Sequence, residues 1–173
     1  VLLHNIVDNF FVKITKMKEQ ILILAAILIP ILSNGQIDKK EFIENIKWIN
    51  ENPSTPENKE FVSKSAQLIK FQFSNYPDFR VNVKGTKEIE EQWKGHKYER
   101  YFQIVYSFNQ LHYKLLNNNF NRLDACFYSL NKLIDSYSMI IYNKPELKVR
   151  MLEKYKNLNN KNLKKRIEKY VEK

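Results

Sequence analysis

Residues 98–143, YERYFQIVYSFNQLHYKLLNNNFNRLDACFYSLNKLIDSYSMIIYN, carry the longest helical pattern of this chain. Apolar and aromatic side chains recur in steps of three and four residues along both halves of the stretch. In the first half these are Tyr101, Val105, Phe108, His112 and Leu115; in the second they are Phe120, Leu123, Phe127, Leu130, Ile134, Tyr137 and Ile141. Such spacing is typical of helices that pack at shallow angles. Because only a short asparagine-rich segment separates the halves, the sequence predicts an antiparallel helical hairpin.

Two further helices are predicted before the hairpin. The segment from Asp38 to Glu41 has the spacing of a capping box, and apolar residues follow it at helical intervals. After a break at residues 52–53, Thr55 and Pro56 predict the start of a second helix, with Thr55 as its cap. Its predicted apolar stripe consists of Val62, Ala66, Ile69 and Phe73, broadened by Ser65 and Leu68.

The rest of the chain predicts an extended loop and shorter helices. Residues 74–86 lack helical periodicity, and Thr86 is placed to cap a short helix that carries Ile89 and Trp93. Beyond the hairpin, one helix is predicted to about residue 158 and a last amphipathic helix near the end. The sequence therefore predicts an all-α, single-domain helical bundle of about six helices around residues 98–143, with the domain covering residues 36–173.

Residues 17–36, MKEQILILAAILIPILSNGQ, predict a secretory signal peptide. Lysines precede an uncharged run at residues 21–32, which is shorter than the roughly 20 residues that a membrane-spanning helix needs. Ser33 and Gly35 fit a cleavage site, so we expect the mature chain to begin at Gln36 after removal of residues 17–35. Residues 1–16 are interpreted as a spurious or extended N-terminal segment. A buried helix and an uncleaved anchor are the alternatives.

The net charge limits the classes of partner to be expected, and the cysteine count limits the disulfides that can form. The chain has 29 Lys and Arg against 19 Asp and Glu, a net charge of +10. A positive balance often indicates nucleic acid, but export to the bacterial periplasm or medium favours a protein or an envelope component. Solubility alone is the other explanation. The single cysteine, Cys126, cannot form an intrachain disulfide and is expected to be a small buried hydrophobe.

Catalytic and metal signatures are not apparent in the sequence. Three glycines cannot build a phosphate-binding loop or a nucleophile elbow, and no metal-binding motif occurs. The expectation is therefore no catalytic residues, no metal, no cofactor and no enzyme. His112 could pair with Met139 or Met151 as haem ligands, but a core histidine is the favoured interpretation. Glu88, Glu90 and Glu91 are interpreted as solvated helix-start carboxylates rather than an acid–base pair.

Two candidate binding surfaces follow from the pattern. Aromatic residues lie beside the first hairpin stripe and could line a groove: Trp93, His96, Tyr98, Phe102, Tyr106 and Tyr113. The alternative is that they pack under the loop at residues 74–86. The last helix carries Lys161, Lys164, Lys165, Arg166 and Lys169 opposite an apolar stripe. It could lie on an anionic surface, in peripheral contact with a membrane, or dock on the bundle.

The expected function is that of an exported, non-catalytic binding protein whose partner is unknown, such as an immunity protein or an enzyme inhibitor. The alternative is a binder of the envelope or another anionic surface that acts through the basic C-terminal helix. Nucleic acid is not the expected partner, and the mature form is expected to have no transmembrane span.

Overall fold

A computed structural model describes residues 37–82 and 86–171, without the side chains of residues 87, 90 and 91. These residues confirm the predicted all-α class. The predicted signal peptide, its cleavage site at Gly35 and Gln36, and residues 1–16 lie outside the described residues. The helices are α1 (Lys39–Glu51), α2 (Lys59–Asn75), α3 (Lys87–Trp93), α4 (Glu99–Leu116), α5 (Arg122–Asn143), α6 (Arg150–Lys156) and α7 (Asn160–Val171), with a 3-10 turn at Pro145–Leu147.

The hairpin of α4 and α5 lies at the centre of the bundle, as the sequence predicts. Its stripe is fully buried at Tyr101, Val105, Leu130 and Tyr137, because α1, α2, α6 and α7 surround it. The stripe is less covered toward the hairpin tip, where Phe120 precedes α5 and keeps 40% exposure. Helix α5 begins after Asn121, whose side chain accepts a hydrogen bond from the Asp124 amide at 3.0 Å.

Helix α1 starts where the predicted capping box places it. The Asp38 carboxylate accepts the Glu41 amide hydrogen at 2.8 Å, which satisfies one of the free donors of the first turn. The buried face of α1 carries Phe42, whose ring lies 4.6 Å from that of Phe71 on α2 and 6.4 Å from that of Phe108 on α4. Helix α1 therefore joins α2 to the central hairpin through aromatic contacts.

The predicted start of α2 at Thr55 and Pro56 is wrong. Both residues belong to a turn that the Asn58 amide closes on the Thr55 carbonyl at 3.0 Å. Asn58 is the cap instead, and its side chain accepts the amides of Glu60 and Phe61 at 2.9 and 3.0 Å. An asparagine cap satisfies two free amides here, so the helix starts one turn later than the proline suggests.

The predicted buried face of α2 is also wrong in part. Ala66, Ser65 and Leu68 are buried as expected, but Val62 and Phe73 keep 36% and 61% exposure. Phe61 and Phe71 take their place in the core. Phe61 lies 5.8 Å from the Tyr101 ring and Phe71 packs on Phe42, so contacts with α4 and α1 select the face. The α2 sequence is apolar on two adjacent faces, and only these partners decide between them.

The segment between α2 and α3 is an extended loop over its described residues, as expected. Phe79 of this loop is buried, and the Asn82 amide donates to the Gln110 side chain of α4 at 2.8 Å. Past α3, Gly95 has φ +76°, a left-handed conformation that favours glycine. Its amide donates to the Glu99 carboxylate at 2.6 Å, and this turn leads the chain into α4.

The last helix, α7, docks on the bundle. Leu163, Ile167 and Val171 are buried, and α7 packs on α5. The docked terminal helix, one of the two alternatives for the C-terminal segment, is the arrangement that the structure shows. In the described residues, no helix combines the length and the apolar character needed to cross a bilayer.

Candidate functional site

The aromatic residues predicted to line a groove are brought together, but as parts of the core. Trp93 and Phe102 are almost wholly buried, and their rings stack at 5.6 Å. The His96 ring stacks on the same Phe102 ring at 5.4 Å. His96 also reaches the Leu147 carbonyl, 3.1 Å from its Nε2 atom. The faces of these rings are therefore occupied by neighbours in the same chain.

The remaining aromatic candidates diverge. The hydroxyl of the buried Tyr106 donates to the Asn82 carbonyl at 3.0 Å, so this side chain packs under the loop, as the alternative expected. Tyr113 lies apart, near the hairpin tip, with its ring 5.7 Å from Tyr128 and 6.5 Å from Phe120. The six side chains do not line one open groove in this structure. Of the six, Tyr98 lies at the edge of an open cleft.

That cleft, here called the α5 cleft, lies between the end of α1 and the last two turns of α5. It has a volume of about 600 Å³ and is lined by Glu51, Pro53, Tyr98, Ser138, Met139, Ile140, Tyr142, Asn143 and Lys144. The buried Tyr98 and Ile140 contribute apolar wall, whereas Met139 and Tyr142 are exposed by 37% and 86%. A volume of this size is in the range of ligand-binding clefts.

Lys144 holds the Tyr98 side chain in one wall of the α5 cleft. The Lys144 ammonium donates to the Tyr98 hydroxyl at 3.2 Å and lies 5.7 Å from the centre of the Tyr98 ring. The opposite charge in the lining belongs to Glu51, which is exposed at the end of α1. The cleft therefore combines an apolar wall with one acidic and one basic group.

The basic residues of α7 divide into two groups. Lys164 forms an ion pair with Asp124 of α5 at 2.5 Å, and Arg166 forms one with Glu88 of α3 at 2.7 Å. Lys161, Lys165 and Lys169 are exposed. Two of the five predicted surface cations therefore hold the helix on the bundle, and three remain on its outer face.

Glu88 is the centre of a polar cluster that joins α3, α6 and α7. Its carboxylate accepts hydrogen bonds from the hydroxyls of Tyr155, at 2.5 Å, and Tyr170, and from Nε of Arg166 at 2.8 Å. Partial burial acts to raise the pKa of Glu88, but these hydrogen bonds and the Arg166 charge outweigh it and lower the pKa below its usual value. A charged carboxylate with these donors can anchor the C-terminal helix.

The two side chains most suited to acid–base or nucleophilic chemistry, His112 and Cys126, make contacts within the protein. Burial, with the charge of Lys132, lowers the pKa of His112, whose Nδ1 lies 3.3 Å from the Tyr128 hydroxyl. Cys126 is buried, and burial raises the pKa of its thiol. In the described part of the chain, no group of three His, Cys, Asp or Glu residues is placed to hold a metal ion.

The sequence alone does not predict the α5 cleft. Met139 and Tyr142 lie beside the buried α5 stripe, and neither stands out from the apolar residues around them. A tyrosine next to Ile141 at the end of a helix was the available signal. Tyr155 and Tyr170 lie 67 and 82 positions from Glu88 in the chain, so no local sequence pattern indicates that they meet it.

The protein is an all-α helical bundle whose surface carries an open, partly apolar cleft. No family model, curated protein or solved structure matches the chain.

Proposed function

We propose that this protein is an exported, non-catalytic binding module that engages a partner protein through the α5 cleft. The observation that carries the proposal is Tyr142, a large aromatic side chain exposed by 86% at the edge of a cleft of about 600 Å³. An exposed tyrosine alone is ordinary surface. A tyrosine and a methionine beside an apolar depression form an anchor pair of the kind that dominates protein interfaces.

The anchors are held on a rigid support. Both lie on the last turns of α5, the central helix, whose neighbouring residues Tyr137 and Ile140 are buried in the core. The Asn143 side chain donates to the Met139 carbonyl at 3.2 Å and stabilises the end of the helix. Binding therefore requires little ordering of the backbone, which lowers the entropic cost of association.

Binding rather than catalysis is favoured by where the reactive groups lie. Cys126 is buried at the loop, His112 lies toward the hairpin tip, and Glu88 is engaged by three side chains. The α5 cleft contains none of the three, and of its own ionisable side chains Lys144 is hydrogen-bonded to Tyr98 while Glu51 is exposed at the end of α1. An immunity protein or an enzyme inhibitor is one form that such a module takes, and export follows from the predicted signal peptide.

Affinity capture with a matched control tests the cleft. The purified protein, immobilised, is exposed to envelope and medium fractions of the source cells. Tyr142→Ala combined with Met139→Ser removes both anchors; Phe73→Ala combined with Val62→Ser removes an exposed aromatic and an exposed aliphatic residue from α2. We expect a stoichiometric partner that binds the wild type and the α2 variant, and binds the cleft variant about 30-fold more weakly.

Two outcomes contradict the cleft proposal. One is the recovery of no stoichiometric partner by the wild type. The other is a partner whose affinity falls equally in the two double variants, because this would exclude a specific role for the cleft.

Export is tested separately by isolating the natural product and sequencing its N-terminus. We expect Gln36, or its pyroglutamate form, in the periplasm or medium. A product in the cytosol that retains residues 17–35 contradicts export without bearing on the cleft.

A further inference from the structure

We propose that the outer face of α7 binds acidic phospholipid surfaces through a row of three lysines, while the helix stays docked on the bundle. The row consists of Lys161, Lys165 and Lys169, all exposed and each one turn from the next. At 1.5 Å per residue it extends over about 12 Å. This surface is distinct from the α5 cleft, and its choice of ligand rests on the export part of the proposed function.

The geometry of α7 assigns different roles to its two sides. At about 100° per residue, the lysine row lies opposite the ridge of Leu163, Ile167 and Val171. That ridge is buried against the bundle. The helix therefore has no free apolar face to insert into a bilayer, and what it presents outward is positive charge.

The three ammonium groups are available for an external anion. Lys164 and Arg166 are neutralised by Asp124 and Glu88. None of the three row lysines forms an ion pair with a carboxylate of the described residues. Glu168 lies at the flank of the row, and its charge acts on Lys164. Free lysines on a docked helix predict contact that is electrostatic and removable by salt.

A lipid surface fits this row better than nucleic acid does. The row extends over about 12 Å and can therefore contact only a few phosphates of a nucleic-acid backbone, which supplies little of the charge neutralisation on which nucleic-acid affinity depends. A flat layer of phosphate headgroups requires only clustered positive charge on a protruding ridge. For an exported protein, such a layer is also the anionic surface nearest to the point of release.

Vesicle flotation with charge-matched variants tests the proposal. The full chain is mixed with vesicles of phosphatidylcholine alone or of phosphatidylcholine with phosphatidylglycerol, at low and high salt. Lys161→Glu, Lys165→Glu and Lys169→Glu together reverse the row. The control reverses Lys40, Lys47 and Lys59, which are exposed on α1 and α2, and so changes the net charge equally. Double-stranded DNA is added as a competitor.

We expect binding to phosphatidylglycerol vesicles only, loss of binding at high salt, and about a hundredfold weaker partitioning of the row variant. The control variant should stay within a few-fold of the wild type. Equal losses in the two variants, binding to neutral vesicles, or binding that survives high salt would overturn the proposal. Displacement by DNA at matched phosphate concentration would overturn it as well and would indicate nucleic acid. The cleft variant should float like the wild type, which separates this test from that of the α5 cleft.

Discussion

Replacing Glu88 by glutamine should destabilise the protein by about 2 kcal/mol. The carboxylate accepts hydrogen bonds from Tyr155, Tyr170 and Arg166, and its removal leaves the Arg166 guanidinium without a counter-charge. A hydrogen bond to a charged group contributes roughly 1.5–3 kcal/mol, and an exposed ion pair about 0–1 kcal/mol. The Glu88 and Arg166 side chains keep 22% and 28% exposure, so the value lies between that of a buried and that of a surface pair.

Urea unfolding followed by circular dichroism measures this loss. Glu44→Gln is the matched control, because Glu44 pairs with Lys40 at 3.9 Å on an exposed turn, with side chains 65% and 85% exposed. The control should change the free energy of unfolding by less than about 0.5 kcal/mol. A loss in Glu88→Gln that is no greater than the loss in Glu44→Gln would refute the role of Glu88 as an anchor.

The lowered pKa of Glu88 also predicts how the stability difference between the wild type and Glu88→Gln changes with pH. The folded state lowers the pKa of Glu88, so its contribution to stability is complete above the unfolded pKa of about 4.3. That contribution disappears as the pH falls through the lower folded pKa. The stability difference between the wild type and Glu88→Gln should therefore be constant near neutrality and shrink below about pH 4.3. A difference that grows on acidification would contradict the direction of the pKa shift.

Three further outcomes follow from single contacts. Gly95→Ala should cost about 1 kcal/mol of unfolding free energy in urea titrations, from its φ of +76° alone, because no atom lies within 4 Å of an added Cβ. Tyr101→Phe should cost about 1 kcal/mol in the same assay, because the buried Tyr101 hydroxyl donates to the Ile49 carbonyl at 2.8 Å, whereas Tyr142→Phe should cost nothing measurable. The Cys126 thiol should react with Ellman's reagent at least about tenfold more slowly in the folded protein than in urea; equal rates would contradict its burial and raised pKa.

The hairpin and the first helix could be predicted because their signals are local. The spacing of apolar residues along residues 98–143 repeats over several turns, and a repeat of that length specifies a helix and its buried side together. The Asp38 cap depends on residues only three positions apart, and its hydrogen bond to Glu41 forms as expected. Local geometry of this kind is present in the sequence itself.

Contacts between distant segments determine which face of α2 is buried. They also determine whether the aromatic residues beside the first hairpin stripe are buried or exposed. Phe61 rather than Val62 is buried because Tyr101 lies 5.8 Å from its ring, and these residues are far apart in the chain. Phe102 lies under Trp93 and His96 because the turn at Gly95 folds back over α4. Two apolar faces on one helix look alike in a sequence, and only the packing of its neighbours distinguishes a core face from a binding face.

The C-terminal helix shows why docking and surface binding are compatible rather than alternative. An amphipathic basic helix has one apolar side, and burial of that side against the bundle excludes insertion into a bilayer but leaves the opposite side unchanged. In α7, Lys164 and Arg166 form ion pairs with Asp124 and Glu88 within the protein. The row lysines form no ion pair with a carboxylate of the described residues. Loss of the Glu88 anchor should therefore lower stability without removing the row, and reversal of the row should weaken vesicle binding without lowering stability.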